Sequence, residues 1–198
     1  MNSLDALTPS TNVVPSPRSL QFARRSFLPM KRDHLWKLET GVVRTLTWLE
    51  DGTVVTLGLW GPGDILEGAF AHMEPYQIEC LTLVEARLFP AAHLPVDSGA
   101  WLARVQQLET LLVIRSHKRV EDMLLKLLVW LADRFGRDAA EGRVIDLRVT
   151  HQDMAELLGT TRVTITRLLK QFESEGIIQR LIHQRILLKQ EEFWYYEI

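Results

Sequence analysis

Residues 150–180 read THQDMAELLGTTRVTITRLLKQFESEGIIQR, and this stretch decides how the rest of the chain is read. Thr150 is a good helix N-cap, because its hydroxyl can accept from a backbone N–H that would otherwise have no partner. Met154, Leu157 and Leu158 follow at i, i+3, i+4 spacing, which marks one apolar helix face. Gly159 stops that helix, since glycine takes a left-handed backbone at no steric cost. Thr160 or Thr161 then caps a second helix. In it Val163, Ile165, Leu168, Leu169 and Phe172 can turn inward, leaving Arg162, Thr164, Thr166, Arg167 and Lys170 outside. No acidic residue lies between Thr160 and Lys170, so this face can approach phosphates and guanine edges without repulsion. The layout is that of a helix-turn-helix whose second helix fits a DNA major groove.

Two short helices around a glycine occur in many folds, and a cationic helix face can simply be solvated. Two features favour the DNA-reading alternative. Arg162 and Arg167 can both reach out from the N-terminal half of the second helix, where recognition helices touch bases. Beyond it, Gly176 ends the helix, and two β-prone runs, 177–182 and 185–189, flank a polar His183-Gln184 turn, the pattern of a wing.

The composition bounds the function. The chain has 198 residues, 46% hydrophobic and 24% charged, with a formal net charge of −2. It therefore reads as a soluble globular protein of about two domains rather than a wholly basic nucleic-acid coat. A single cysteine, Cys80, excludes an internal disulfide and multi-cysteine iron–sulfur or zinc sites, and a cytoplasmic location follows most simply. Cys80 falls in an expected strand, where lone cysteines are mostly buried and inert. No apolar run reaches the roughly 18 residues of a membrane span, and the N-terminus lacks the order of a signal peptide. His34, His72, His93, His117, His151 and His183 include no pair at metal-ligand spacing, so no metal site is expected. Walker-type loops, nucleophile elbows and paired catalytic carboxylates are missing too, so no enzyme is expected.

Organisation is read outward from the helix-turn-helix. Residues 1–19, rich in Ser, Thr, Asn and Pro, read as a flexible tail. Residues 20–98 form a β domain, with strand-like runs at 21–28, 35–38, 42–49, 53–60, 76–81 and 84–89, a hairpin turn at 50–52 and a tight turn at 61–64. Such spacing suggests a sandwich or small barrel. Residues 99–118 are a helix on which Trp101, Val105, Leu108 and Leu112 recur at alternating spacings of four and three. That seam suits pairing with a second copy, and packing on the chain's own barrel is the alternative. A new helix begins near 116–121, and Met123, Leu124, Leu127, Leu128, Leu131 and Phe135 give it a broad apolar face. Residues 136–142 read as a polar connector and 144–147 as a short strand, completing a DNA-binding domain over 119–198. The terminal Phe193-Trp194-Tyr195-Tyr196 run is expected to dock in a groove. The fold class is α+β.

Barrel, pairing helix, hinge and winged helix-turn-helix is the domain order of the Crp/Fnr family of bacterial transcription regulators, which the chain resembles over about 20–189. The sharpest match is GTTRVTITRLL at 159–169, which looks like the recognition helix of the family's cyanobacterial global nitrogen regulator branch. The resemblance implies that Arg162 and Arg167 read base edges and that Val163 occupies a third contacting position. The catabolite activator and Fnr branches carry Glu there, and valine cannot accept from a cytosine amino group. A half-site closer to GTA…TAC is implied. Thr161, Thr164 and Lys170 would hold phosphates and set register. Double-stranded DNA, a second copy and RNA polymerase are the implied partners, with no membrane.

The β domain departs from the family pattern. The cyclic-nucleotide pocket needs a Gly-Glu pair and an Arg-Ser or Arg-Thr pair. Here the first reads Gly63-Asp64-Ile65-Leu66-Glu67-Gly68, with the pair reversed, and Glu74-Pro75 stands where the arginine should be. A glutamate repels a phosphate, so cyclic AMP is not the expected ligand. The nitrogen regulator binds 2-oxoglutarate with an arginine and a glutamate on the pairing helix plus a barrel arginine. Arg104 and Glu109 fall at the helix positions, while Glu74 falls at the barrel one with the wrong sign. Arg104 and Glu109 are thus candidate effector ligands, an ion pair being the plainer explanation, and 2-oxoglutarate the candidate effector. A ligand- or protein-binding adaptor whose winged helix contacts a protein is the rival from another class, and it predicts no salt-dependent DNA binding because no counterions would be released.

Overall fold

The computed structural model describes residues 19–31, 33–67, 73–93 and 98–189. Of the tail expected at 1–19, all but Ser19, which begins the first strand, lies outside them, as do the aromatic run at 193–196, Gly68 and His72.

The N-terminal half is two facing antiparallel sheets. One contains β1 (Ser19–Phe22), β2 (His34–Thr40), β5 (Ile65–Glu67) and β7 (Val84–Pro90) in the order β1-β7-β2-β5. The other contains β3 (Val43–Trp48), β4 (Val54–Trp60) and β6 (Gln77–Cys80) in the order β4-β3-β6. This is a jelly-roll-like sandwich, and the short β5 follows the turn expected at 61–64, where no strand was expected. Trp36, Leu38, Val43, Trp60, Ile78, Cys80 and Val84 fill the space between the sheets. Burial also pushes the Cys80 thiol up, as an inert strand cysteine requires.

The second sheet is buried on both faces, which is why β3 reads as an almost unbroken buried run. Successive side chains on a strand alternate sides. Val43 and Trp60 point into the sandwich, whereas Val42 and Leu59 join the helical core on the other side. Arg44 takes that outer side as well, opposite its cross-strand partner Glu79.

Helix α1 (Ser98–Arg115) lies against this outer face, and α2 (Val120–Phe135) follows after a short break. Gln107 is buried on α1, where its Oε1 accepts from Leu59 N–H at 2.8 Å. Helix α2 buries Leu124, Leu125, Leu127, Leu128, Val129, Leu131 and Ala132, a face broader than the one read from periodicity. It forms the spine of a single core shared with the C-terminal domain.

Residues 136–142 are not a connector. β8 (Gly136–Ala139) and β9 (Gly142–Ile145) form a tight hairpin, with Gly136 opposite Ile145. Exposed Arg137 and Asp138 give β8 a loop-like composition, but polar residues are normal on an edge strand. Gly136 is required by close approach, since a Cβ there would lie 2.1 Å from the Ala132 carbonyl oxygen. The hairpin extends the wing into a four-stranded sheet ordered β10-β11-β9-β8, where β10 is Ile178–Arg180 and β11 is Ile186–Lys189. The two helices of the reading unit, α3 (His151–Leu158) and α4 (Arg162–Ser174), pack between this sheet and α2.

Candidate nucleic-acid interface

The local chemistry of 150–180 builds the motif as its residues dictate. Thr150 caps α3 by accepting from Asp153 N–H at 3.1 Å, and the Asp153 carboxylate accepts in return from Thr150 N–H at 2.9 Å. This reciprocal pair satisfies two donors that a helix start leaves open. Gly159 ends α3 in the left-handed region at φ 68°. Thr161 caps α4, its hydroxyl accepting from Thr164 N–H at 3.1 Å.

Ile165, Leu168, Leu169 and Phe172 bury the inner face of α4. With that face fixed at about 100° per residue, Val163 must point away from it. Val163 is in fact 78% exposed, so its apolar character does not place it in the core. It shares the outer face with Arg162, Thr166, Arg167 and Lys170, all exposed. Arg162 and Arg167 mark the two edges of this face, about 140° apart around the helix. Arg162 lies on the wing side, close enough to His151 to depress its pKa. Arg167 lies on the α2 side, beside Arg119, Glu121 and Thr164. Among the described residues, Arg162, Arg167 and Lys170 have no side-chain hydrogen bond or ion pair. Thr164 is half-buried, and its hydroxyl lies 2.9 Å from that of Thr161, so these two are partly engaged by each other.

The wing is held against α4. Arg180 Nε donates to Glu173 Oε2 at 2.8 Å, and this contact keeps the Glu173 carboxyl below its usual range. The turn joining β10 and β11 has left-handed backbone at His183 and Gln184 and carries Ile182, 80% exposed, at its tip.

The candidate effector residues are not brought together. Arg104 is half-buried, its guanidinium 5.1 Å from the centre of the Trp60 ring. Glu109, five residues on, is turned about 140° round α1 and is exposed. Glu74 is exposed on the turn before β6. The pairing seam of α1 is open: Val105, Leu108 and Leu112 are exposed, together with Leu102 and Val113. The Trp101 side chain lies outside what is described.

Sequence reasoning missed the cluster that seats the reading unit on the β sandwich. Arg44 on β3 donates to Glu79 at 2.6 Å and to Glu156 on α3. Arg25 donates to Glu79 at 3.1 Å and to Asp153 at 2.9 Å. Arg115, the last residue of α1, donates to the Leu157 carbonyl at 2.5 Å and the Thr56 carbonyl at 2.7 Å. It ties α1 to both the α3 C-terminus and β4. The partners are 35 to 112 positions apart for Arg44 alone, beyond any local periodicity. The one local signal was a single charged residue inside an otherwise uncharged strand.

Comparison with known proteins agrees with this architecture. Residues 118–192 match the Crp-like helix-turn-helix domain. The regulatory protein CysR of Synechococcus elongatus is 42% identical over 178 residues, covering 88% of this chain and 85% of that one. The global nitrogen regulator of Nostoc is 36% identical over 83 residues, 42% of this chain and 36% of the regulator. FixK2 of Bradyrhizobium japonicum has the same fold at 17% identity, with a TM-score of 0.76 over 92% of this chain and 98% of that one. A CRP-family transcriptional regulator of Thermus thermophilus shares it at 19% identity, with a TM-score of 0.73 over 88% and 96%.

Proposed function

The chain belongs to the Crp/Fnr family of transcription regulators, and on that premise we propose that it acts as a homodimer on a palindromic DNA site without cyclic AMP. The observation that carries this reading is the outer face of α4. That helix is anchored through four buried side chains, yet it presents Arg162, Val163, Thr166, Arg167 and Lys170 to solvent, and the three cations among them have no described side-chain partner. A cationic face fixed in place and left unpaired suits a polyanion, because counterion release then drives association. Arg162 and Arg167 can each donate two hydrogen bonds to a guanine edge, and Val163 between them offers only apolar contact. Thr161, Thr164 and Lys170 flank them as phosphate contacts that set register.

Pairing through α1 would bring two such faces to half-sites about 34 Å apart. Arg115 makes the spacing mechanical, since it connects α1 to the end of α3. An effector or partner protein that moved α1 would thereby shift the population of DNA-competent spacings. The sandwich interior beside α1 is occupied by Trp36 and Trp60, and Arg104 is engaged on the Trp60 ring. This supports operation without a cyclic nucleotide, and the separation of Arg104 from Glu109 weighs against a dicarboxylate such as 2-oxoglutarate held between them. RNA polymerase is the proposed further partner of the promoter-bound dimer.

The experiment is genome-wide selection of bound DNA fragments, with and without 2-oxoglutarate and cyclic AMP. Enrichment of a palindrome related to GTA…TAC in all three conditions is the expected result. Failure to recover any DNA in a salt-dependent way would favour the adaptor instead. Arg162→Ala and Arg167→Ala should each weaken binding to the selected site by about 1–3 kcal/mol. Neither should change the thermal unfolding midpoint, because neither side chain has a described partner to lose. An affinity loss shared equally by unrelated DNA would reassign either arginine to the phosphate backbone.

A further inference from the structure

His151, the first residue of α3, reaches across to the recognition helix, where its Nδ1 lies 2.8 Å from Thr166 Oγ1. Thr166 Oγ1 in turn donates to the Arg162 carbonyl at 2.8 Å. A hydroxyl has a single hydrogen. Because that hydrogen goes to Arg162, Thr166 can only accept from the imidazole, and Nδ1 must carry a proton. The neutral ring therefore keeps its lone pair on Nε2, for which no described residue supplies a partner. Protonation adds a second N–H at Nε2 without disturbing the Nδ1 bond, so the imidazolium fits the same geometry.

The ring lines a cavity of about 340 Å³ between α3, α4 and the wing, whose charged lining is Arg180, Arg185 and Glu173. Glu173 is engaged by Arg180, and Arg185 by Asp146. Arg162 completes the cationic surroundings from α4, and Arg148, three residues upstream, is bonded to Gln184. His151 thus sits at the wing-side edge of the proposed DNA face, flanked by positive charge and with one nitrogen uncommitted.

We propose that His151 is a proton-linked DNA contact: on binding duplex DNA it takes up one proton and donates from Nε2 to a backbone phosphate. The inference rests on the DNA-reading assignment and adds to it a residue and a pH dependence. In the free protein, partial burial first, then Arg180 and Arg162, hold the imidazole below its usual value of 6.5, so it is neutral at neutral pH. An arriving phosphate offsets both arginines and accepts from Nε2–H, favouring the charged ring. The bound-state pKa then exceeds the free-state one. The affinity gain is complete below the free-state value and is lost as pH rises through the bound-state value.

The test uses the full-length protein and a fluorescein-labelled duplex of about 30 base pairs carrying GTA and TAC half-sites one helical turn apart. Anisotropy titrations at about pH 6.0 and about pH 7.5 should show tighter binding at the lower pH, roughly three- to tenfold for each chain and so roughly ten- to hundredfold for a dimer on both half-sites, the limit for each proton being tenfold per unit. His151→Gln should lose that dependence. Thr166→Ser, which keeps the hydroxyl, should retain it. Binding by His151→Gln with the wild-type pH slope would overturn the proposal, as would loss of the slope in His183→Gln at the wing tip instead. Absence of any salt-dependent binding, by wild type and variant at both pH values, would sink the DNA-reading assignment and this inference with it. A direct reading comes from the His151 ring proton shift by NMR: its midpoint should rise when the duplex is added, and an unchanged midpoint would refute the linkage.

Discussion

Arg44→Met is expected to destabilise the protein by about 3–5 kcal/mol, among the largest effects of any polar substitution in the chain. Arg44 is 7% exposed and sits among three carboxylates: Glu79 at 2.6 Å, Glu156 in direct contact, and Asp153 at 3.5 Å. Methionine fills much of the volume but supplies no charge. Glu79 and Asp153 would then keep Arg25, whose side chain is 36% exposed and correspondingly screened, while Glu156 would lose its ion-pair partner. Asp153 cannot turn away to water, because it is 1% exposed and its carboxylate also caps α3. Removing one charge from a buried set leaves the others uncompensated, whereas removing all of them together can be neutral. Urea unfolding should therefore show a large shift for Arg44→Met and partial recovery when Glu156→Gln is added, with coupling between the two of about 0.5–3 kcal/mol. A shift below about 1 kcal/mol for Arg44→Met would mean that water solvates the cluster as it does an ordinary surface pair.

The cluster also shows where sequence reading stops. The motif at 150–180 was legible nearly residue by residue: Thr150 as a cap, Thr160 or Thr161 as the next, which the structure resolves to Thr161, Gly159 as the left-handed stop, and Ile165, Leu168, Leu169 and Phe172 as the buried stripe. Each of these is a local matter of backbone donors, φ preference or helical period. Val163 was ambiguous because an apolar residue on a helix satisfies an inward-facing reading and a base-contacting reading alike, and only the fixed phase of α4 separates them. The β8–β9 hairpin was hidden by the polarity of Arg137 and Asp138, since an exposed edge strand and a loop have the same composition. Arg25, Arg44, Glu79, Asp153 and Glu156 were out of reach for a different reason. Their pairing joins four separate parts of the chain, and no period along the sequence encodes it. The same holds for His151 and Thr166, which are 15 positions apart and meet only because α3 and α4 cross.

The double substitution Leu108→Lys, Leu112→Lys is expected to leave a folded monomer and to lower DNA affinity by about 10²–10⁴-fold. Both side chains are exposed, Leu108 by 46% and Leu112 by 67%, so lysine meets no packing constraint within the chain. The opposite side of α1 is fully committed, with Gln107 bonded to β4, Leu111 and Ile114 buried, and Arg115 anchored to Leu157 and Thr56. The alternative in which the seam packs on the chain's own sandwich therefore has no face left to use. What remains is a helix exposing Leu102, Val105, Leu108, Leu112 and Val113 to water, an apolar density that marks an interface. Four lysines at a two-fold seam, two from each copy, would oppose pairing by like-charge contact as well as by lost burial. Each recognition helix would then bind alone, without the effective concentration that a linked second head provides. Circular dichroism should match the wild type, sedimentation at micromolar concentration should show a single chain, and the loss should be far smaller on a half-site duplex than on the palindrome. A dimer that survives both lysines, or equal losses on the two duplexes, would place the pairing surface elsewhere than α1.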